Sequence, residues 1–435
     1  MSAVAKQAEK KVTGPDIRLP EGWVASPLGE VLTVNYGKGL KESNRISGAV
    51  PVFGSNGIVG THNVALINGP AIVIGRKGTV GAVHFSSGPS WPIDTTYFVN
   101  EFRGLDPRFI EFAMRALTLN ELDTSTAIPG LNRDDLYTQQ IVLAPVAEQK
   151  RIVATINQLL AVVARAERRL GNAPKILKHF RQVVLAAACS GKLTEDWRQV
   201  NVSSEWKNTA VGELIVEKPR NGLSLKAVKY ETPIRSLTLT ATTFGHFDGS
   251  HFKYLDVDLP HDSHLWLKKG DILLQRGNTE EYVGVSAVYE GADNAYIYPD
   301  LMIKIRPREG VLSKFLWIAL SEPKARQYFR ENATGSQGSM PKINQKIVEG
   351  TIVPVPSGRE QAEIVRRVEA LFKLADVIEK RVAAASLRAE RLTQAILAKA
   401  FRGELVPTEA ELAKREGREY EPASVLLERI RRERE

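Results

Sequence analysis

Arg76 and Arg276 are the residues of this chain best placed, by type and context, to do specific chemistry. Each follows a short apolar run, Ala71-Ile-Val-Ile74 in one case and Ile272-Leu-Leu274 in the other, and each sits in a glycine-containing loop. A guanidinium offers a planar fork of donors that matches the paired acceptors of a guanine edge or a phosphate. Near the first arginine, Lys38, Lys41, Asn44 and Arg45 form a basic loop, Lys77 is adjacent, and Ser125 and Thr126 lie towards the end of the same segment. Near the second, Arg220, Asn221, Lys226 and Lys229 hold the corresponding place, followed by Asn278, Thr279, Ser336, Gln337 and Ser339. Asn and Gln suit adenine edges, whereas Lys and hydroxyls suit phosphates. Any one of these side chains is equally an ordinary solvated loop residue. The two arginines stand apart because they occupy matching places in two segments.

Catalytic chemistry finds no comparable support. Gly75-Arg-Lys-Gly78 with Gly81 imitates a phosphate loop, but no helix follows it and a strand-to-strand turn is the simpler reading. The Gly-Lys pairs at Gly37-Lys38 and Gly191-Lys192 lack the following Ser or Thr. Pro299-Asp300 with Glu322-Pro-Lys324 has the spacing of a metal-dependent nuclease, yet a proline between the ligands at a helix start makes this coincidental. The histidines, His246, His251, His261 and His264 among them, show no helical metal spacing, and a lone Cys189 offers no paired thiols. No Asn-Pro-Pro-aromatic or Asp-Pro-Pro-aromatic run exists to position a base for methylation. The expectation is a chain with no catalytic residue, metal or cofactor of its own.

The elements that position these loops repeat. Ala71–Ile74, Val80–Val83 and Thr96–Val99 read as strands and Pro107–Ala116 as a helix, an α+β pattern. Residues 203–355 follow the plan again: Trp206 answers Trp23, Pro299-Asp300 answers Ile93-Asp94, and the helix around Phe315 answers the one around Phe109. Met340-Pro341-Lys-Ile343-Asn344 answers Ile128-Pro129-Gly-Leu131-Asn132 at a separation of 212 residues.

A longer repeat joins the globules. Glu148-Gln149 opens a segment that recurs from Glu360-Gln361, and 14 of 46 aligned pairs are identical. Both copies alternate apolar steps of three and four. The first places Ile152, Ile156, Leu159, Val163, Leu170, Leu177, Phe180 and Val184 on one seam; the second places Ile364, Val368, Leu371, Ile378, Val382, Leu392 and Ile396. Such a seam sustained over five heptads marks a coiled coil. With a globule at each N-terminus, antiparallel pairing relates two halves by an approximate two-fold axis. Pro174 with Gly171 implies a kink in the first helix, and Gly191 and Gly403 mark left-handed stops. The organisation is an extension (1–18), a globule (19–147), a helix (148–200), a second globule (201–355), a second helix (356–405) and a charged tail (406–435). The amphipathic stretch Ser424–Ile430 can dock on a partner or lie in solvent.

Composition is that of a soluble chain, 43% hydrophobic and 25% charged over 435 residues. The N-terminus has no apolar run, and no stretch reaches the roughly 20 apolar residues of a membrane span, so a cytoplasmic location is expected. Most of the net charge of +9 falls in 148–200, with 10 basic and 4 acidic residues, while the globules are nearly neutral. A nucleic-acid surface would therefore require charge segregated onto one face of each globule.

The chain resembles the specificity subunit of Type I restriction–modification systems along essentially its whole length. The resemblance rests on Leu19-Pro-Glu-Gly-Trp23, the Pro145-to-Val153 junction, Ala188-Cys-Ser-Gly191-Lys-Leu-Thr-Glu-Asp-Trp197, Pro356 with Glu360-Gln361, and Ala400-Phe-Arg-Gly403-Glu-Leu405 with the Glu421–Ile430 tail. It implies two target-recognition domains, each reading half of a bipartite asymmetric site in double-stranded DNA. Two conserved helices would set the spacing and bind two methyltransferase subunits. Restriction subunits would join in the full complex, and S-adenosylmethionine, ATP and Mg2+ would belong to those partners. The alternative is a coiled-coil scaffold whose globules bind protein.

Overall fold

The computed structural model describes residues 18–122, 130–201, 204–335 and 340–434; Ser125, Thr126, Ser336, Gln337 and Ser339 lie outside these. The first globule holds β1 (Val24–Pro27), α1 (Leu28–Val31), β2 (Asn35–Tyr36), β3 (Val50–Gly54), β4 (Gly57–His62), β5 (Ala71–Gly75), β6 (Val83–Ser86), β7 (Trp91–Pro92), β8 (Thr96–Val99), α2 (Pro107–Ala116), α3 (Arg133–Tyr137) and β9 (Gln140–Leu143). The long α4 (Val146–Cys189) and short α5 (Glu195–Val200) follow. The second globule holds β10 (Lys207–Ala210), β11 (Arg220–Asn221), β12 (Ile234–Leu237), β13 (Phe252–Leu255), β14 (Ile272–Gln275), β15 (Ser286–Val288), β16 (Met302–Ile305), α6 (Ser313–Ser321), α7 (Pro323–Asn332), α8 (Gln345–Glu349) and β17 (Ile352–Val355). The chain ends with α9 (Gly358–Ala400), α10 (Glu409–Glu416) and α11 (Ala423–Arg432).

The two globules are built alike. Each has a four-stranded antiparallel sheet of the same order, β2-β8-β5-β6 and β11-β16-β14-β15, and each joins its ends through one antiparallel pair, β1 with β9 and β10 with β17. The central strands β5 and β14 are buried throughout, which explains their unbroken apolar runs. Helix α2 begins as its sequence dictates: Asp106 accepts hydrogen bonds from the Arg108 and Phe109 amides, and proline occupies the first turn. One strand differs from expectation. Val80–Ala82 is a turn and the strand begins at Val83, because Gly81 is left-handed (φ 75°) and lies so close to the backbone at Leu119–Asn120 that a Cβ would clash there.

Chain contacts define two compact units, Met1–Gly171 with Ala384–Glu435, and Asn172–Ala383. Neither unit is a sequence domain, because each takes one globule and half of both long helices. In the first unit, Ile152, Ile156 and Val163 at the start of α4 share a core with Ala389, Ile396 and Ala400 at the end of α9. In the second, Val184, Leu185 and Ala188 at the end of α4 pack with Ile364 and Val368 at the start of α9, and with Phe315 and Ile318 of α6. Start meets end both times, so the helices are antiparallel. Helix α4 runs on through Pro174, and Gly191 and Gly403 are left-handed beyond the helix ends.

The seam is less continuous than its sequence pattern. Leu177 is buried, and Leu170, Phe180, Leu371 and Val382 are half-buried. Leu159, Ile378 and Leu392, expected inside, are exposed. Burial follows one line of the heptad: Ile156, Val163, Leu177 and Val184 on α4 and Val368, Ala375, Ala389 and Ile396 on α9, all spaced by multiples of seven residues, are buried, whereas Leu159, Ile378 and Leu392 lie on the other line and turn outward.

The tail belongs to the first unit's core. Ala423, Leu426, Leu427 and Ile430 of α11 are buried there, the Ala423 amide donates to the Gly22 carbonyl at 2.8 Å, and Arg431 pairs with Glu30. Among the described residues, no helix is long and apolar enough to cross a membrane.

Candidate nucleic-acid interface

Arg76 and Arg276 stand in the same backbone frame. The Arg76 amide donates to the Thr95 carbonyl at 2.9 Å, and its own carbonyl accepts from the Leu131 amide at 2.8 Å. The Arg276 amide donates to the Leu301 carbonyl at 2.7 Å, and its carbonyl accepts from the Ile343 amide at 2.8 Å. The bridges that follow, Lys77 with Gly130 and Gly277 with Lys342, also correspond. Each guanidinium donates through Nη1 to an aspartate main-chain oxygen, Arg76 to Asp94 (3.2 Å) and Arg276 to Asp300 (3.5 Å). A strand end, the loop before the next strand and the approach to a short helix thus converge on each arginine.

The remaining expected contact residues divide by what they already hold. Lys41, Lys77, Lys226 and Lys229 are exposed, and Thr279 is exposed at the turn after Asn278. Lys38 lies with its ammonium 6.0 Å from the Trp91 ring centre, while the Trp91 indole donates to the Lys38 carbonyl. Arg45 instead ties its loop to β4, donating to the Val59 carbonyl at 2.8 Å, and Asn44 accepts from Ser43. Arg220 pairs with Glu217. Asn278 is drawn inward: its amide donates to the buried Gln275 at 2.6 Å, and its oxygen accepts from the Thr279 amide. Such a side chain shapes a loop more than it reads a ligand.

Two residues beside Arg76 escaped the sequence reading. Tyr36, 50% exposed, lies with its ring centre 5.0 Å from the Arg76 guanidinium carbon and 5.1 Å from that of Arg133. Tyr97 packs edge-on against Tyr36 at 5.1 Å, and burial raises its hydroxyl pKa. The available signal was the Pro-x-apolar-Asn repeat at 129–132 and 341–344, whose next residue differs, Arg133 against Gln345.

A second matched constellation secures each globule to its helix. Glu148 accepts from the Trp23 indole (3.0 Å) and from the Glu409 amide of the tail (2.8 Å). Glu360 accepts from the Trp206 indole (3.0 Å), Thr194 (2.8 Å) and Arg198 (2.7 Å). Both carboxylates are fully buried. The next residue holds the start of the globule's own helix: Gln149 accepts from the Asp106 amide and Gln361 from the Leu312 amide. Burial raises the Glu148 pKa despite these donors. Burial also works against ionisation of Glu409, but Arg151 and Arg418, each 2.6 Å away, hold it below its ordinary range.

The family model for the Type I restriction modification DNA specificity domain matches residues 20–171 and again 204–385. Two curated relatives are the EcoKI specificity subunit of Escherichia coli K12 and the StySPI specificity subunit of Salmonella potsdam. Each is 31% identical over 419 residues, covering 89% of this chain and 90% of the relative. Among solved structures, a chain from work on the complex assembly and conformational transition of the type I R-M system aligns over 89% of this chain and 99% of its own, at 19% identity and a TM-score of 0.65. The HsdS subunit from Thermoanaerobacter tengcongensis aligns over 90% and 99%, at 19% identity and a TM-score of 0.52. With its domain matched twice in globules of one topology, the chain belongs to the family of Type I restriction enzyme specificity subunits.

Proposed function

We propose that each globule reads one half of a bipartite, asymmetric target in double-stranded DNA, and that α4 and α9 set the distance between the halves. The observation that carries this reading is the pair of arginine frames, identical in backbone hydrogen bonding and different in the side chains around them. Identical frames present two reading sites in the same way, and different neighbours let them prefer different bases. In this reading the chain has no catalytic site and works in the cytoplasm. Two methyltransferase subunits dock on the long helices and restriction subunits join them, and those partners bind S-adenosylmethionine, ATP and Mg2+. Support for paired docking comes from Val162 and Leu374, 212 residues apart in the repeat and 56% and 52% exposed. Large apolar side chains at corresponding places on two helices suit two copies of one partner.

Mapping methylated bases across the host genome, with and without this gene, tests the reading. A motif of two short blocks separated by a fixed gap should vanish with the gene. A contiguous motif, or methylation that persists, would remove it. Binding of the purified methyltransferase complex to duplex DNA without sequence preference would favour a protein-binding scaffold instead.

A further inference from the structure

The frames around Arg76 and Arg276 also fix which other positions face the same spot. Strand pairing gives the first correspondence. Tyr36 lies opposite Tyr97 in β8, and Tyr97 lies opposite Ile74 in β5; Asn221 lies opposite Ile303 in β16, and Ile303 lies opposite Leu274 in β14. Tyr36 and Asn221 therefore hold one structural position. The glycines after them agree: a Cβ on Gly37 or on Gly222 would come within 2.0 Å of a carbonyl oxygen, that of Ile93 or of Tyr298. Segments 131–133 and 343–345 give the second correspondence. Leu131 and Ile343 bond to the arginine carbonyls, Asn132 and Asn344 cap the short helices, and Arg133 and Gln345 come next.

In the first globule the Tyr36 ring joins Arg76 and Arg133 from three separate elements, and Asn221, Arg276 and Gln345 hold the corresponding three positions in the second. The central arginine is shared and both flanking residues differ. Their polar atoms are incompletely used. Arg133 Nε, Arg276 Nε and Asn221 Oδ1 are buried without a hydrogen-bond partner among the described residues. A buried unpaired polar atom destabilises the fold that holds it, and such an atom calls for an explanation, of which a ligand to be met is one.

We propose that these triplets are the specificity-determining heads of the two globules: the shared arginine seeks a guanine edge, and the flanking pair decides what is read beside it. Tyr36 is a positioning residue in the first head, holding the two guanidiniums so that a second strongly cationic fork stands beside Arg76. That head favours a further guanine next to the first one. In the second head Asn221 and Gln345 carry carboxamides, which suit adenine. The assignment rests on the DNA-reading function proposed above.

The test exchanges the flanking pairs in the full chain, purified with its methyltransferase subunits. The probes are duplexes carrying the motif methylated in the host genome and every single-base variant of it. Absence of any gene-dependent motif would overturn the DNA-reading function itself, before the triplets are at issue. Given a motif, Tyr36→Asn with Arg133→Gln should change base preference by tenfold or more at one or two positions of one half, leaving the other half unaltered. Asn221→Tyr with Gln345→Arg should do the converse. Folded variants that keep the original preference at every position would overturn the triplets and leave DNA reading intact. If the exchange abolishes methylation, Arg133→Lys decides: the charge remains but the planar fork is lost. Discrimination relaxed about tenfold at one position of the first half supports the assignment, and unchanged discrimination overturns it.

Discussion

At the residue scale, one buried carboxylate in each half bears more than its own bonds. Glu360 holds Trp206, Thr194 and Arg198 together, so Glu360→Ala leaves three donors facing a void. The expected loss is about 3 kcal/mol, measured by urea unfolding followed through tryptophan fluorescence. An unchanged midpoint would mean that the carboxylate contributes nothing net. Glu148 has a pH signature of its own. Because burial raises its pKa, the folded state binds a proton before the unfolded chain does. Its contribution to stability is therefore most favourable below the ordinary carboxyl range and declines as pH rises through the window up to its folded pKa. Glu409 works in the opposite direction: its stabilising contribution is present above the ordinary range and is lost as pH falls through its lowered value. As pH falls from neutrality towards the ordinary carboxyl range, Glu148→Gln should remove the gain in stability that protonation of this buried carboxylate gives the native chain, read as unfolding midpoints across that pH series. The Glu-Gln repeat was legible in the sequence, but its partners were not. Trp23 and Glu409 lie 125 and 261 residues from Glu148, and nothing local announces them. Tyr36 and Arg133 escaped for the same reason, since only the folded sheet brings them to Arg76.

At the scale of elements, the tail and the long helices carry separate tasks. The sequence left Ser424–Ile430 between a partner and solvent, because an amphipathic stripe states that a face is buried and not against what. Its apolar face completes the first globule's core. Leu426→Ala should cost about 3 kcal/mol, and a chain ending before the tail should lose the Glu409 amide that bonds to Glu148. Thermal unfolding with the same midpoint in both variants would show that α11 is dispensable. The antiparallel pairing was readable from period and register, and the exposed seam positions were not, because the apolar pattern marks both lines of the heptad alike while the fold buries mainly one of them. Apolar side chains off the seam, Val162 and Leu374, also face outwards. Val162→Glu and Leu374→Glu should each cost one methyltransferase copy, read as the mass of the purified complex by light scattering. Full occupancy in both variants would place the docking surface elsewhere.

At the scale of the whole molecule, the repeat separates what must stay alike from what must differ. The junction carboxylates, the arginine frames and the sheet order are common to both halves, whereas the residues flanking the arginines are not. If the helices set the distance between two reading heads, that distance should respond to helix length and to nothing in the globules. Helix α4 has 44 residues and α9 has 43. Seven residues inserted after Gly171, together with seven after Ala383, fall at the boundaries between the compact units and preserve the heptad phase of both seams. The insertion adds about 10 Å of helix, close to three base pairs of duplex. The expected motif keeps both blocks unchanged and gains about three base pairs between them. Insertion into one helix alone puts the two seams out of register and should abolish methylation. A doubly extended chain that methylates at the original spacing would mean the helices hold partners without measuring DNA, and the gap would then have to be set by the methyltransferase subunits.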